Sequence, residues 1–501
     1  MSARSVARFL PACAVAVFCL SGRAAAADPN MIPLINSTFN WAWTQESNTI
    51  SYLQSVNGAS YLNLYPKETN RTTGVWTNFQ QPASVSWIAG FLPACQWMLY
   101  AHTGDPNWMT AAKAFTAGIA SAGVQQPAVD SDLGFRAVPS FYQGWLLSNN
   151  QNDPNGTYRA SAASAVVTMA TTLATRYDMN GWPVHAIRSW GSGLYPVYVD
   201  DLVNNTLFFA AWDVSGRPTS GSAYTLYQDA VATANTTLAQ HVRPDGSAYH
   251  IVDFDANGRV ICKNGTVADP LDYQGFSNES TWSRGQSWAM YGFAEAYKFT
   301  RGDASVDPNR FLNAARATSD YFVAHLPNNY TADPYNTRVG DFVPPSDFDA
   351  SMGEPNGPWN DWNGVAGAKR PGTHAFTYRD SSAAAVAASA MLELSTLDAD
   401  ANERSKYFNA AEQILRCLIT YKGSDGNFVY LAKGTNQMAL LINEAGSWTP
   451  DNEETSFMWG DSYFLEALQR YEDIVVPEPA SLALLGLGGA ALALYRRRRW
   501  R

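Results

Sequence analysis

The sequence predicts an all-α fold, a closed (α/α)6 barrel of six helical hairpins with small β-hairpins in its long loops. Three observations predict it. Helical segments recur near 36–57, 83–103, 105–121, 138–149, 157–176, 201–215, 221–240, 283–301, 307–325, 380–397, 401–421 and 455–474. Long connections, near 58–82, 122–137, 177–200, 241–282, 326–379 and 422–454, alternate with short ones along most of the chain. Hydrophobic residues make up 46% of the chain and no low-complexity linker divides it, which suits one large core. Short joints then lie at one mouth of the ring, and long loops build a cleft at the other.

Individual elements follow from spacing. Tyr407, Ala411, Ile414, Leu415 and Leu418 share one helical face, as do Tyr227, Val231, Ala234 and Leu238. Gly104-Asp105-Pro106, Asp153-Pro154-Asn155-Gly156 and Gly216-Arg217-Pro218 punctuate the short joints. Segments 245–263 and 425–431 have the turn-and-strand character of hairpins. The rival architecture is a helical solenoid, but no repeat of fixed period is evident.

The two ends read as targeting signals, leaving a single domain over 28–475. Arg4 and Arg8 precede the apolar run Phe9 to Leu20 and the small residues Ala24 to Ala27, the pattern of a secretory signal peptide over 1–27. At the other end, Val476-Pro477-Glu478-Pro479 is followed by apolar Ala480 to Tyr495 and by Arg496 to Arg499. As a helix the apolar run is about 24 Å long, short for a bilayer core. Segment 476–501 resembles the PEP-CTERM sorting signal, which implies export, transient membrane contact of the tail and an exosortase-type partner. A plain membrane anchor, a transmembrane helix, is the other reading of the same segment.

Three cysteines lie beyond the signal, Cys95, Cys262 and Cys417, far apart and without metal-ligand spacing, so they read as buried thiols. The net charge of −10 argues against nucleic acid as a partner. It also disfavours a long polyanion unless a local basic pocket overrides the average field; a short acidic oligosaccharide is easier to hold.

Acidic and aromatic residues gather where long loops meet helices: Asp130 to Phe135, Val199 to Asn205, and Glu279-Ser280-Thr281-Trp282-Ser283-Arg284-Gly285-Gln286-Ser287-Trp288. Indoles stack on sugar rings and a guanidinium grips a carboxylate with two prongs. Asp200 follows the apolar Tyr195 to Val199, a setting expected to raise a carboxyl pKa, whereas Asp201 reads equally as a helix cap. Two carboxyl groups beside sugar-stacking indoles suggest a glycoside hydrolase. Each aromatic also has a plainer reading: Trp288 and Trp87 as packing, His250 as a hydrogen-bonded strand residue.

The chain resembles the unsaturated glucuronyl hydrolases, glycoside hydrolase family 88. The resemblance runs in order over about residues 80–472. It is carried by Asp132-Leu133-Gly134-Phe135, Val199-Asp200-Asp201-Leu202-Val203-Asn204, Arg243-Pro244-Asp245-Gly246-Ser247-Ala248-Tyr249-His250, Gln274-Gly275-Phe276-Ser277, Thr281 to Trp288, Asp380 to Ala385, and Trp459-Gly460-Asp461-Ser462-Tyr463 to Leu468. It implies an (α/α)6 barrel that acts on short, lyase-generated oligosaccharides ending in a 4,5-unsaturated uronic acid. In that chemistry carbon-4 of the enol ether is protonated, water adds at carbon-5, and the hemiketal opens to expel the rest of the chain.

By this resemblance Asp200 is the proton donor and Asp132 positions the ring. His250, Gln274 and Arg284 are polar site residues, and Trp87, Trp282 and Trp288 touch sugar. Such chemistry needs no metal or cofactor. A nearby anion, Asp132, suits a developing oxocarbenium-like centre, and Arg284 or the Ser381 and Ser382 hydroxyls at a helix start suit the substrate carboxylate.

Two departures bear on substrate. Ser131 stands where the family commonly has histidine. The loops 251–273 and 326–379 are long, the second carrying Trp359, Trp362, Lys369, Arg370 and His374. The alternatives are an unsaturated rhamnogalacturonyl hydrolase, of family 105, and a surface glycan-binding protein without turnover.

Overall fold

Apolar faces at helical spacing close here into a double ring. The computed structural model describes residues 27–79, 87–123, 130–189, 194–263, 274–275, 280–327, 340–349, 379–423, 425–446 and 455–476. Both targeting segments and residues Trp359 to His374 lie outside them, apart from Ala27 and Val476.

The helices are α1 (Met31–Asn57), α2 (Phe91–Thr103), α3 (Pro106–Gly123), α4 (Leu133–Ala137), α5 (Gln143–Leu147), α6 (Thr157–Ala174), α7 (Asp201–Asn204), α8 (Thr206–Val214), α9 (Ser222–His241), α10 (Ser283–Thr300), α11 (Asn309–Ala324), α12 (Ser381–Leu397), α13 (Ala401–Thr420) and α14 (Met458–Val475). The inner ring runs α2, α4–α5, α7–α8, α10, α12, α14, and α14 closes back on α2. The outer helices α3, α6, α9, α11 and α13 each pack on an inner one, and α1 packs against α2, α13 and α14. The predicted barrel is therefore the observed architecture. Among the described residues no helix is long and apolar enough to cross a membrane; the C-terminal apolar run lies outside them.

Inner and outer helices differ in composition for a physical reason. α12 is buried on nearly every side, and its Ser381-Ser382-Ala383-Ala384-Ala385 start lets neighbours on both flanks approach closely. A helix without a solvent face carries few charges. By contrast α13 buries one stripe, including Tyr407, Ala411, Ile414, Leu415 and Leu418, the face its spacing predicts.

Two helices begin earlier than expected, α1 at Met31 where the prediction was near 36, and the helix predicted from near 138. In the structure, helix runs from Leu133, and Pro139 is absorbed in a wide π-helical turn, Val138–Tyr142. Asp132 consequently sits at a helix start, where segment 122–137 was expected to be a connection.

Small sheets occupy the long loops. Strands β1 (Glu68–Thr69) and β2 (Trp76–Thr77) pair with each other, and β3 (Tyr195–Tyr198), β4 (Ile251–Phe254) and β5 (Val260–Lys263) form an antiparallel sheet in that order. The expected hairpin within 245–263 is β4–β5. That within 425–431 is reduced to isolated bridges, Lys422 with Phe428 and Leu431 with Leu441. Cys95 and Cys417 are buried thiols, and Cys262 is half-buried, its thiol donating to Asp253 Oδ2 at 3.4 Å.

Below the cleft the core holds acid. Burial pushes Glu46 and Asp461 up to about 8, and the Asp461 charge adds to the push on Glu46. Asp461 is held by the backbone N–H groups of Leu440 and Leu441, at 2.8–2.9 Å. Both folded values exceed the ordinary carboxyl range. Their contribution to stability is therefore full below about pH 4 and is lost as pH rises toward 8, by at most about 1.4 kcal/mol per pH unit per group. Thermal midpoints should accordingly fall from pH 5 to pH 9, and Glu46→Gln should make that fall shallower. A variant whose midpoints run parallel to wild type across this range would show that Glu46 does not hold its proton.

Candidate active site

The cleft at the long-loop mouth is a cavity of about 460 Å³ whose walls include Asp130, Asp132, Asp200, Asp201, Trp87 and Trp288. Two backbone devices bring its acids together. Gly134 in α4 lies against α7: a methyl group there would stand 2.3 Å from the Asn204 Cα. Across this contact the Phe135 N–H donates to Asn204 Oδ1 (3.0 Å), and Asn204 Nδ2 donates to Asp132 Oδ1 (3.1 Å). One asparagine thus links the two aspartate-bearing helix starts, which lie 68 residues apart in sequence from Asp132 to Asp200.

The second device is the strand pair β3–β4. Its register places Tyr198 opposite Ile251, and the ladder continues as the Val199 N–H donates to the His250 carbonyl (2.8 Å). Asp200, the next residue, then lies beside His250, with Nε2 at 3.2 Å from Asp200 Oδ2. Strand pairing that periodicity did not reveal therefore creates the closest acid–imidazole contact of the site.

Charge is distributed unevenly over the four aspartates. Burial, with the charges of Asp130 and Asp201, pushes Asp132 well above the usual carboxylate range. Burial also raises Asp201 to about 6, against hydrogen bonds from Ser189 and Ser131 that favour its charged form. Asp130 pairs with Arg136. The sequence pointed to Asp200 as the acid in an apolar setting; the structure sets His250 at one side of Asp200 and places a strong upward push on Asp132. Burial thus works against the charged form of Asp132, the form expected to stabilise a positive centre.

Arg284 also differs from expectation. It lines the cavity but is only 3% exposed. Its Nη1 donates to the Ala445 carbonyl and lies 3.4 Å from Asp380 Oδ2, and its Nη2 donates to the Gly446 carbonyl at 2.6 Å. The guanidinium is sandwiched by Trp282 and Trp459, 4.5 and 5.1 Å from the ring centroids. A two-pronged grip on a substrate carboxylate would have to break these contacts. Gln274 joins the same knot, its Nε2 donating to Gly446 O (3.1 Å), and still lines the cavity.

Three further expectations are corrected by burial. Trp282 is 2% exposed and lies against His250, 4.7 Å between ring centroids, so it braces the imidazole and presents no face to sugar. Ser381 Oγ donates to the Ile442 carbonyl (2.8 Å) and Ser382 Oγ to Asp380 (2.5 Å), both fully buried; Asp380, not a substrate, caps α12. Trp288 forms part of the cavity wall yet is packed between Phe135 and Tyr463, so it bounds the site from the core side. Trp87 also lines the cavity. Half-buried, it rests on Trp459 at 4.8 Å.

Comparison with known proteins agrees with this fold. An unsaturated glucuronyl hydrolase of Formosa agariphila is 29% identical over 401 residues, covering 78% of this chain and 82% of the relative. One from Bacillus sp. (strain GL1) is 27% identical over 403 residues, covering 78% and 87%. The crystal structure of an unsaturated glucuronyl hydrolase specific for heparin superposes with a TM-score of 0.66 at 28% identity, over 88% of this chain and 98% of that one. Its relatives in sequence and in fold are unsaturated glucuronyl hydrolases. Residues 475–499 separately match the PEP-CTERM protein-sorting motif.

Among the described cleft residues, those that sequence reasoning missed are Lys67, Tyr198, Phe457 and the ring of Trp459. Phe457 and Trp459 stack at 4.0 Å and continue the aromatic wall from Trp87. The Trp459-Gly460-Asp461 motif was visible, but its position at the cleft was not. The signal for it was the alternation Phe457, Trp459 at the start of a helix, Phe457 being bridged to Glu68. Lys67 had no signal in the sequence at all.

Proposed function

We propose that this cavity removes a 4,5-unsaturated uronic acid from the non-reducing end of lyase-generated oligosaccharides, by protonating and hydrating the enol-ether double bond. The observation that carries the reading is the convergence of Asp132 and Asp200 through Asn204, with His250 at 3.2 Å from Asp200, in a cavity of about 460 Å³ walled by Trp87. Its size and aromatic wall suit a sugar ring.

In this reading Asp200 gives its proton to carbon-4, leaving positive charge at carbon-5 shared with the ring oxygen. Water adds to carbon-5, and the Asp200 carboxylate takes up a water proton, so that the acid is regenerated. The hemiketal then opens and the leaving sugar departs with its hydroxyl. His250, with Nε2 3.2 Å from Asp200 Oδ2, holds the Asp200 side chain in place. Asp132, whose charged form burial disfavours, hydrogen-bonds a ring hydroxyl and so fixes the double bond over Asp200. The aromatic shelf of Trp87 over Trp459 supports the sugar face.

The C-terminal sorting motif supports export, with an exosortase-type enzyme acting on the tail. The test is direct: the purified protein should bleach the ultraviolet absorbance of unsaturated disaccharides prepared with polysaccharide lyases. A panel of glycosaminoglycan-, ulvan- and pectin-derived products separates the glucuronyl from the rhamnogalacturonyl preference. Binding of all of them without bleaching would overturn the enzymatic reading.

A further inference from the structure

An acidic sugar entering this cleft meets four aspartates. Two are softened, Asp132 by burial and Asp130 by its pairing with Arg136, but the wall still carries negative charge. An anionic substituent needs a cation there, and among the described wall residues two are available, Arg284 and Lys67. Arg284 is committed to the Ala445 and Gly446 carbonyls and to Asp380.

Lys67 is differently placed. Its Nζ is 3.9 Å from Glu68 Oε2, beyond hydrogen-bond reach, and the other oxygen of Glu68 accepts from Asn78 Nδ2 at 3.1 Å. Lys67 lines the cavity, and its side chain is 24% exposed. Its backbone is not loose. The Lys67 carbonyl accepts from the Met458 N–H (3.1 Å), Glu68 bridges Phe457, and the Thr69 N–H donates to the Ser456 carbonyl (3.1 Å). Segment 67–69 is therefore sewn to the extended segment that leads into α14 and carries the aromatic wall, so Lys67 stands beside Phe457 and Trp459 at the mouth.

From this placement we infer that Lys67 is a specificity-determining residue that binds an oxyanion of the substrate, the uronate carboxylate or a sulfate on the neighbouring sugar. The inference rests on the proposed reaction for its substrate class. An ammonium serves as a point charge with freely rotating donors and tolerates either oxyanion. Because the contact is made equally to bound substrate and transition state, its loss raises KM and leaves kcat nearly unchanged.

The experiment compares wild type, Lys67→Met and Lys67→Arg on two lyase-made disaccharides, one charged only through its uronate carboxylate and one also sulfated on the neighbouring sugar. Lys67→Met should raise KM about tenfold, the scale of one charge-assisted contact, with kcat and thermal midpoint retained and Lys67→Arg restoring most of the loss. A rise with both disaccharides identifies the carboxylate as the ligand; a rise confined to the sulfated one identifies the sulfate. Equal KM values for wild type and Lys67→Met on both would overturn the inference while leaving the reaction intact. Calorimetric binding of both disaccharides, with Asp200→Asn as the common background, reads the same contact without turnover: an unchanged Kd on adding Lys67→Met overturns the inference even if no bleaching is seen.

Discussion

Asp200→Asn is expected to lower the rate of ultraviolet bleaching by roughly 10²–10⁴-fold, the usual value of a positioned general acid. Nearly all of the loss should fall on kcat. The amide has the size and shape of the acid, so substrate still enters, but it has no proton to give carbon-4. The fold should survive the exchange. The structural duties of Asp200 are carried by its backbone carbonyl, which accepts from the Val203 and Asn204 N–H groups at 2.9 and 3.1 Å. Thermal midpoints of variant and wild type should therefore agree. Full activity in Asp200→Asn would remove Asp200 as donor. If Asp132→Asn were then inactive, the proton would be traced to the carboxyl whose charged form burial disfavours.

Arg284→Ala should behave in the opposite way and fail in stability first. Removing the guanidinium strands the Ala445 and Gly446 carbonyls and leaves Asp380 facing a void between two indoles. Losing one partner of a buried ion pair costs about 3–5 kcal/mol. Denaturant midpoints should shift accordingly. Activity should fall with them, because Gly446 is itself cavity wall and its carbonyl also accepts from Gln274. Arg284→Lys should rescue little, since an ammonium cannot span both carbonyls in the plane that a guanidinium fork can. An Arg284→Ala protein of wild-type stability with only KM raised would mean that Arg284 does hold substrate, and that its internal contacts open when the substrate arrives.

Lys67 and Arg284 show why charge type is a poor guide to role. In sequence, Arg284 stands among tryptophans and looks like the ligand for an acidic sugar, while Lys67 stands in an unremarked loop. Packing reverses the two. α10 turns Arg284 inward at a level where the loop 445–446 closes over it, and segment 67–69 pairs with 455–457 to bring Lys67 to the cleft. Trp282 and Trp459 exchange duties in the same way, one bracing His250 and the other extending the aromatic wall.

Much of the architecture was nonetheless open to reading from residues alone. The spacing of Tyr407 to Leu418 and the alternation of joint lengths were enough for the helical ring, because a helix must bury its apolar stripe and short joints force antiparallel neighbours. The motifs around Asp132, Asp200 and His250 marked residues that the structure does bring to one cavity wall or, for His250, directly behind it. Local sequence thus determined which segments form helix and which residues carry titratable chemistry. The tertiary structure decided what each of those groups faces. The Gly134–Asn204 contact, the β3–β4 register and the closing of segment 67–69 on 455–457 are long-range pairings. A side chain's proton affinity and its freedom to meet a ligand depend on burial and on partners scores or hundreds of residues away, and neither periodicity nor composition encodes those.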